Sequence, residues 1–116
     1  MANDFRLQGK VALVTGAGQG MGRATAIRLA QKGCRVAVNG RIAHPKIDNV
    51  ARETDGIPVI ADIAQVDQVN AMVKEIDEKL GPIDILVANA ARMTMSPFLE
   101  QAIDEWWAQI DVNLTL

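Results

Sequence analysis

Four glycines alternate with other residues over positions 15–22, between two stretches of different periodicity. The preceding run, residues 10–15, is short and nearly continuous in apolar and β-branched residues, which is typical of a strand buried on both faces of a parallel sheet. The segment that follows, from about residue 20 to residue 32, has the spacing of a helix. Because glycine adopts positive φ without strain, this pattern predicts a strand, a tight turn and a helix in succession.

The same alternation continues along the chain. Further strands are predicted at residues 35–39, 57–61 and 85–89, and further helices at residues 47–54, at residues 66–80 and from about residue 103. Strands that alternate with helices form right-handed crossovers and a parallel sheet with helices on both faces. The sequence therefore predicts an α/β fold, a doubly wound parallel sheet.

Apolar spacing also predicts the buried faces of two helices. In the first helix, Ala24, Ile27 and Ala30 recur at three-residue steps. In the helix over residues 66–80, steps of three and four residues give one apolar stripe, made of Val66, Val69, Val73, Ile76 and Leu80. We expect both sets to face the sheet.

Composition bounds the functional classes. A net charge of −2 gives no electrostatic reason to expect a nucleic acid or a membrane surface as partner, and no apolar run approaches the length of a membrane span. Cys34 is the only cysteine, so no intrachain disulfide can form, and we expect no metal site. The chain has no tyrosine, and its single histidine is His44, which restricts acid–base chemistry. A cytoplasmic protein is the expectation.

The glycine-rich segment has the chemistry of a phosphate site. Its glycines let a phosphate approach the backbone, and the N-terminus of the next helix offers amide groups and a positive dipole end to a diphosphate. The common dinucleotide pattern G-x-G-x-x-G does not fit the segment, whereas T-G-x-x-x-G-x-G does. The alternative is a tight turn without a ligand.

Two strand ends add candidate binding residues. An acidic residue about 20 positions past the glycines would hold a ribose 2′-hydroxyl and select NAD, but that place falls near Gly40. Arg41 follows, and a guanidinium suits a 2′-phosphate, so NADP is favoured over NAD, unless Arg41 is an ordinary exposed arginine. Asp62 follows the third strand, where it either faces the ligand crevice or caps the next helix, and the residues alone favour the cap.

These motifs together resemble the short-chain dehydrogenase/reductase family, and in particular its 3-oxoacyl-carrier-protein-reductase-like and sugar or alcohol dehydrogenase members. The resemblance runs from about Leu7 to the last residue, through residues 15–22, Asp62, residues 89–91 and residues 111–114. It implies a Rossmann-type sheet with the strand order 3-2-1-4 and a nicotinamide cofactor. Residues 1–116 would form the N-terminal dinucleotide-binding half of a single domain.

The resemblance also implies a role for individual residues. The cofactor phosphates would lie against the glycine turn, made of Gly16, Gly18, Gln19, Gly20, Met21 and Gly22. Asp62 would meet the adenine amine, with the backbone of Ile63, and Asn89 and Ala90 would lie against the ribose on the nicotinamide side. Asn113 matches the helix asparagine that holds a water in the proton relay, so it is the candidate catalytic residue in this chain.

The chain departs from the family pattern in two places. The family's Asn-Asn-Ala-Gly stands here as Ala88-Asn89-Ala90-Ala91, which alters the hydrogen bonding expected at that strand end. Trp107 is an additional tryptophan beside the usual Trp106, in a helix that helps to form the family's subunit interface. We expect Trp107 to be either a subunit contact or a core residue, and the whole protein to be a homo-oligomer, a dimer or tetramer.

The family's catalytic serine and Tyr-x-x-x-Lys pair would follow a fifth strand, beyond the last residue of this chain. The whole enzyme would transfer a hydride between a nicotinamide cofactor and a small carbonyl or alcohol substrate. We expect the chain alone to be inactive because it lacks these catalytic residues, and incomplete because strand 85–89 would form an uncovered apolar edge. The alternatives are a non-catalytic nucleotide-binding module and a site for another nucleotide, such as a flavin or a methyl donor.

Overall fold

The computed structural model describes residues 6–90, which form four strands and three helices in strict alternation. The strands are β1 (Val11–Val14), β2 (Arg35–Gly40), β3 (Ile57–Ile60) and β4 (Ile85–Val87). The helices are α1 (Gly20–Gln31), α2 (Pro45–Thr54) and α3 (Val66–Lys79). The predicted last helix, with Trp106, Trp107 and Asn113, lies outside the described residues.

All four strands are parallel, and their order in the sheet is β3-β2-β1-β4. Alternate side chains of β1 enter two different cores. Ala12 and Val14 pack with α1 and α2 on one face, while Val11 and Leu13 pack with α3 on the other. This arrangement confirms the predicted doubly wound α/β fold with the order 3-2-1-4.

The elements differ from the predicted ones mainly at their ends. Three of the strands are shorter than predicted, and β2 extends by one residue to Gly40. Helix α2 begins at Pro45 rather than at residue 47, because proline fits the first turn of a helix and His44 caps it. The cap is a hydrogen bond from the amide of Lys46 to Nδ1 of His44, 3.0 Å long.

The predicted helix faces were partly wrong. In α1 the buried residues are Gly22 and Ala26, while Ala24 is exposed. In α3 they are Met72 and Ile76, while the side chains at 66 and 73 lie in solvent among the described residues. In each helix the two fully buried residues are four positions apart, on one side of the helix. Of the other predicted residues, Ala30 and Leu80 are partly buried and pack against the cores, so only part of each predicted face was wrong.

Candidate functional site

The carboxyl ends of the four strands meet at one edge of the sheet. The segment that follows β1 bonds to the end of β2 through the amide of Ala17 and the carbonyl of Asn39, 3.0 Å apart. The end of β2 bonds in turn to the residue after β3, since the amide of Ala61 donates to the carbonyl of Gly40 at 3.0 Å. The predicted site residues after β1, β2, β3 and β4 therefore lie at a common edge, the place where open α/β sheets bind ligands.

Thr15 joins β1 to the end of β4. Its hydroxyl oxygen accepts hydrogen bonds from the amides of Asn89 and Ala90, at 3.0 and 3.1 Å, and donates to the carbonyl of Val87 at 3.4 Å. The residue is completely buried. The sequence indicated no role for Thr15 beyond its place in the motif, although a hydroxyl residue at the end of a buried apolar strand needs polar partners.

Asn39 links three strand ends from inside the protein. Its side-chain oxygen accepts a hydrogen bond from the amide of Gly16, and its Nδ2 donates to the carbonyls of Val59 and Ala61, each at 3.2 Å. Only 2% of the residue is exposed. Asn39 was predicted only as a strand residue, but an amide within an otherwise apolar buried strand is the signal that could have identified it.

Two glycines make close packing at the turn possible. Gly16 has φ of +60°, and a Cβ there would lie 2.8 Å from Cα of Ala90. Gly22 is buried, and a Cβ there would lie 2.5 Å from Nδ2 of Asn89 and still closer to the carbonyl oxygen of Gly16. Nδ2 of the Asn89 side chain in turn donates to that same carbonyl at 3.0 Å. A larger side chain at either glycine would push the end of β4 away from the turn.

Gly20 differs from these glycines because its surroundings are open. Its φ is +59°, and no atom lies within 4 Å of the place that a Cβ would occupy. It begins α1, where the N-cap residue Gln19 makes no side-chain cap and the first turn carries no acidic residue. Met21 beside it is 80% exposed. The first amides of α1 thus face an open space that can hold an anion.

Helix α2 approaches the turn over two more glycines. A Cβ at Gly18 would lie 2.9 Å from Cδ1 of Ile47, and one at Gly40 would lie 2.6 Å from the same atom. The neighbouring Lys46 donates a hydrogen bond from Nζ to Oε1 of Gln19, at 2.7 Å. Lys46 was not among the residues predicted from the sequence, and the available signal was a cation in the first turn of the helix that follows Arg41.

No acidic side chain stands at the end of β2, which finishes with Gly40, and the next residue, Arg41, is exposed.

After β3, the preference for Asp62 as a helix cap was wrong. The N-cap of α3 is Gln65, because its amide bonds to the carbonyl of Asp62 and delays the start of the helix. The Asp62 carboxylate accepts instead from the amide of Ala64, at 3.0 Å, and Ile63 is buried.

Residues 6–90 contain no group of three or more histidine, cysteine or acidic side chains placed to hold a metal ion. Within the same residues, no helix combines the length and the apolar character needed to cross a membrane. Asn113 lies outside the described residues, so its predicted role in a proton relay stays a prediction.

The sequence profile of the family described as short chain dehydrogenase matches residues 10–115 of the chain. The chain belongs to this family. The resemblance drawn from the four motifs is thereby confirmed, and the match includes the glycine turn and the strand ends that form the candidate site.

Individual short-chain dehydrogenase relatives agree with this assignment. The chain is 36% identical over 115 residues to a 2-dehydro-3-deoxy-D-gluconate 5-dehydrogenase of Formosa agariphila, covering 95% of the chain and 44% of that protein. It is 35% identical over 115 residues to the 3-oxoacyl-[acyl-carrier-protein] reductase FabG of Thermotoga maritima, covering 95% of the chain and 46% of the reductase.

Solved structures give the same result for the fold. A short-chain type dehydrogenase/reductase from Mycobacterium marinum superposes with a TM-score of 0.90 at 34% identity, covering 98% of the chain and 48% of that protein. A short-chain dehydrogenase/reductase mutant from Serratia marcescens superposes with a TM-score of 0.86 at 32% identity, covering 94% of the chain and 46% of the mutant. The chain thus spans slightly less than half the length of these relatives.

Proposed function

We propose that residues 1–116 form the dinucleotide-binding half of an oxidoreductase that transfers a hydride between NADP and a small carbonyl or alcohol substrate. The observation that carries the proposal is the start of α1 at Gly20, where the surroundings are open and the N-cap residue makes no side-chain hydrogen bond to the helix. No atom lies within 4 Å of the place that a Cβ of Gly20 would occupy, which leaves room for an anion beside the first amides of α1, and the helix dipole favours its charge.

The other proposed contacts follow the strand ends. The phosphates lie against the turn formed by Gly16, Gly18, Gln19, Gly20, Met21 and Gly22. Asp62 and the backbone of Ile63 face the adenine, and Asn89 and Ala90 face the ribose on the nicotinamide side. In support, the hydrogen bonds of Thr15 and Asn39 hold the turn and the ends of β2, β3 and β4 in one fixed arrangement.

NADP is proposed over NAD because of the residues that follow β2. Gly40 offers no carboxylate to a ribose 2′-hydroxyl, and exposed Arg41 offers a guanidinium to a 2′-phosphate. A carboxylate at this position would repel the phosphate of NADP and bind the hydroxyl of NAD, so the arrangement favours the phosphorylated coenzyme. NAD is the alternative coenzyme.

The chemistry of the whole protein is a further part of the proposal. A bound nicotinamide supplies or accepts the hydride. In the complete enzyme, Asn113 would hold a water of the proton relay, and the serine, tyrosine and lysine would come from sequence that follows the four motifs. A small-molecule substrate, a homo-oligomeric assembly and a cytoplasmic location are proposed with it. Relatives named as a dehydrogenase and a reductase support this reaction class.

Calorimetric titration with NADPH, NADH and S-adenosylmethionine tests the proposal. We expect NADPH to bind most tightly, NADH to bind more weakly, and S-adenosylmethionine to give no heat of binding. Tightest binding of S-adenosylmethionine, or no binding of either nicotinamide coenzyme by the folded protein, would contradict it. Binding of NADPH by a complete protein that oxidises or reduces no carbonyl or alcohol would favour a non-catalytic nucleotide-binding module instead.

A further inference from the structure

The glycine turn contains no charged side chain of its own from Gly16 to Gly22. A cation nevertheless stands beside it, because Nζ of Lys46 donates to the side-chain oxygen of Gln19 at 2.7 Å. These two residues are 27 positions apart in sequence. The contact brings a positive charge from α2 to a turn that otherwise offers only backbone amides and neutral side chains.

The main chain of Lys46 is held firmly in this position. The next residue, Ile47, is 5% exposed and packs against Gly18 and Gly40, while the amide of Lys46 itself bonds to the cap residue His44. Because glycine at both contacts leaves room for Ile47, the first turn of α2 comes close enough for a lysine to reach Gln19. The ammonium group itself remains exposed, on a side chain that can rotate.

The charge of Lys46 is available to a ligand. The two described ion pairs are Arg23–Glu53 and Lys79–Glu75, so neither Lys46 nor Arg41 takes part in them. The partner of Lys46 is a neutral amide oxygen, and an exposed hydrogen bond of that kind contributes little net free energy. A phosphate oxygen would form a stronger, charge-assisted bond with the same ammonium group.

We infer that Lys46 determines coenzyme specificity. Its ammonium group gives up the hydrogen bond to Gln19 and, together with Arg41, binds the 2′-phosphate of NADP. The inference rests on the proposed function and adds to it a second cation from a different element. Arg41 and Lys46 flank the start of α2, on the β2 side of the turn, where Ile47 covers Gly18 and Gly40. The proposed diphosphate site adjoins this place, at the glycine turn and the first amides of α1, so the two phosphates are told apart by comparing NADPH with NADH, which share the diphosphate but not the 2′-phosphate.

The test compares Lys46→Met with Lys74→Met, which removes another exposed lysine, from α3. Affinities for NADPH and NADH are measured by calorimetry for both variants and the unsubstituted protein. We expect Lys46→Met to weaken NADPH by about tenfold or more and to change NADH by less than about twofold, since one charge-assisted hydrogen bond is lost. Lys74→Met is expected to change neither affinity, and Lys46→Arg to keep most of the NADPH affinity.

Each other outcome has a definite meaning. Equal weakening of NADPH and NADH in Lys46→Met would place the lysine on a phosphate common to both coenzymes and overturn the inference. Unchanged NADPH affinity would overturn it as well. If the unsubstituted protein binds NADPH and NADH equally, the NADP preference fails together with the inference. If it binds neither coenzyme, the proposed function itself fails.

Discussion

The side-chain oxygen of Asn39 accepts a hydrogen bond from the amide of Gly16, 3.4 Å away, so a residue of β2 holds the first glycine of the turn. The Nδ2 group of the same side chain points to the carbonyls at the end of β3. One buried amide thus fixes the phosphate-binding turn relative to the strand end that precedes Asp62. The candidate site depends on this link as much as on the residues that would touch a ligand.

Replacing Asn39 with leucine tests this link. Leucine has a similar volume but leaves the amide of Gly16 and two strand-end carbonyls without their partner, so we expect the free energy of unfolding to fall by about 2–3 kcal/mol. Asn70→Ala, at an exposed position of α3, is the control and should cost less than about 0.5 kcal/mol. Urea denaturation measures both. An equally small loss for the two variants would show that the Asn39 network contributes nothing to stability.

Gly20→Ala separates ligand binding from backbone strain. Gly20 and Gly9 both have positive φ, +59° and +78°, and a Cβ would meet no atom at either position. Each alanine variant should therefore lose about 1 kcal/mol of stability through strain alone. Only Gly20→Ala should also weaken NADPH and NADH, by about tenfold or more, because its methyl group enters the space in front of the α1 amides. Equal coenzyme affinities in the alanine variants of Gly20 and Gly9 would show that the diphosphate does not bind at the first amides of α1.

Arg41→Ala tests the coenzyme preference. The loss of a guanidinium should weaken NADPH by about tenfold or more and leave NADH nearly unchanged, because only NADPH carries the 2′-phosphate. Arg28→Ala, an exposed arginine of α1, serves as the control in the same titrations. If NADPH and NADH weaken to the same degree in Arg41→Ala, the assignment of Arg41 to the 2′-phosphate is wrong.

Cys34 should make stability depend on pH under alkaline conditions. Burial, and secondarily the nearby charge of Asp84, raise the pKa of its thiol above the ordinary value. The folded protein then keeps a proton that the unfolded chain releases, so the free energy of unfolding should decrease as pH rises through the ordinary thiol range and towards the raised folded-state pKa.

Urea denaturation at a series of pH values from about 8 to 10 measures this effect. Cys34→Ala, which has no thiol to titrate, is the comparison and should show a smaller decrease over the same range. Parallel pH profiles for the two proteins would mean that the thiol does not titrate differently in the folded and unfolded states.

Much of the fold could be predicted because its signals are local. The buried run that ends at Thr15, the glycine spacing after it and the repeated alternation of strand and helix patterns each depend on residues close together in sequence. They were sufficient for the parallel sheet with helices on both faces, and they indicated which residues follow each strand, whereas the strand order was expected from the resemblance to the family. Local signals were weaker at boundaries, so Asp62 was placed at a helix cap that Gln65 occupies.

The sequence by itself determined the elements, the turn and the family, because backbone conformation and apolar periodicity are set over a few neighbouring residues. Only the tertiary structure decided that Asn39 bonds to Gly16, that Thr15 bonds to Asn89, and that Lys46 reaches Gln19. Those pairs are between 23 and 74 positions apart. They form because parallel crossovers bring all strand ends to one edge and because Gly18 and Gly40 leave space for α2 to pack there, neither of which a local pattern specifies.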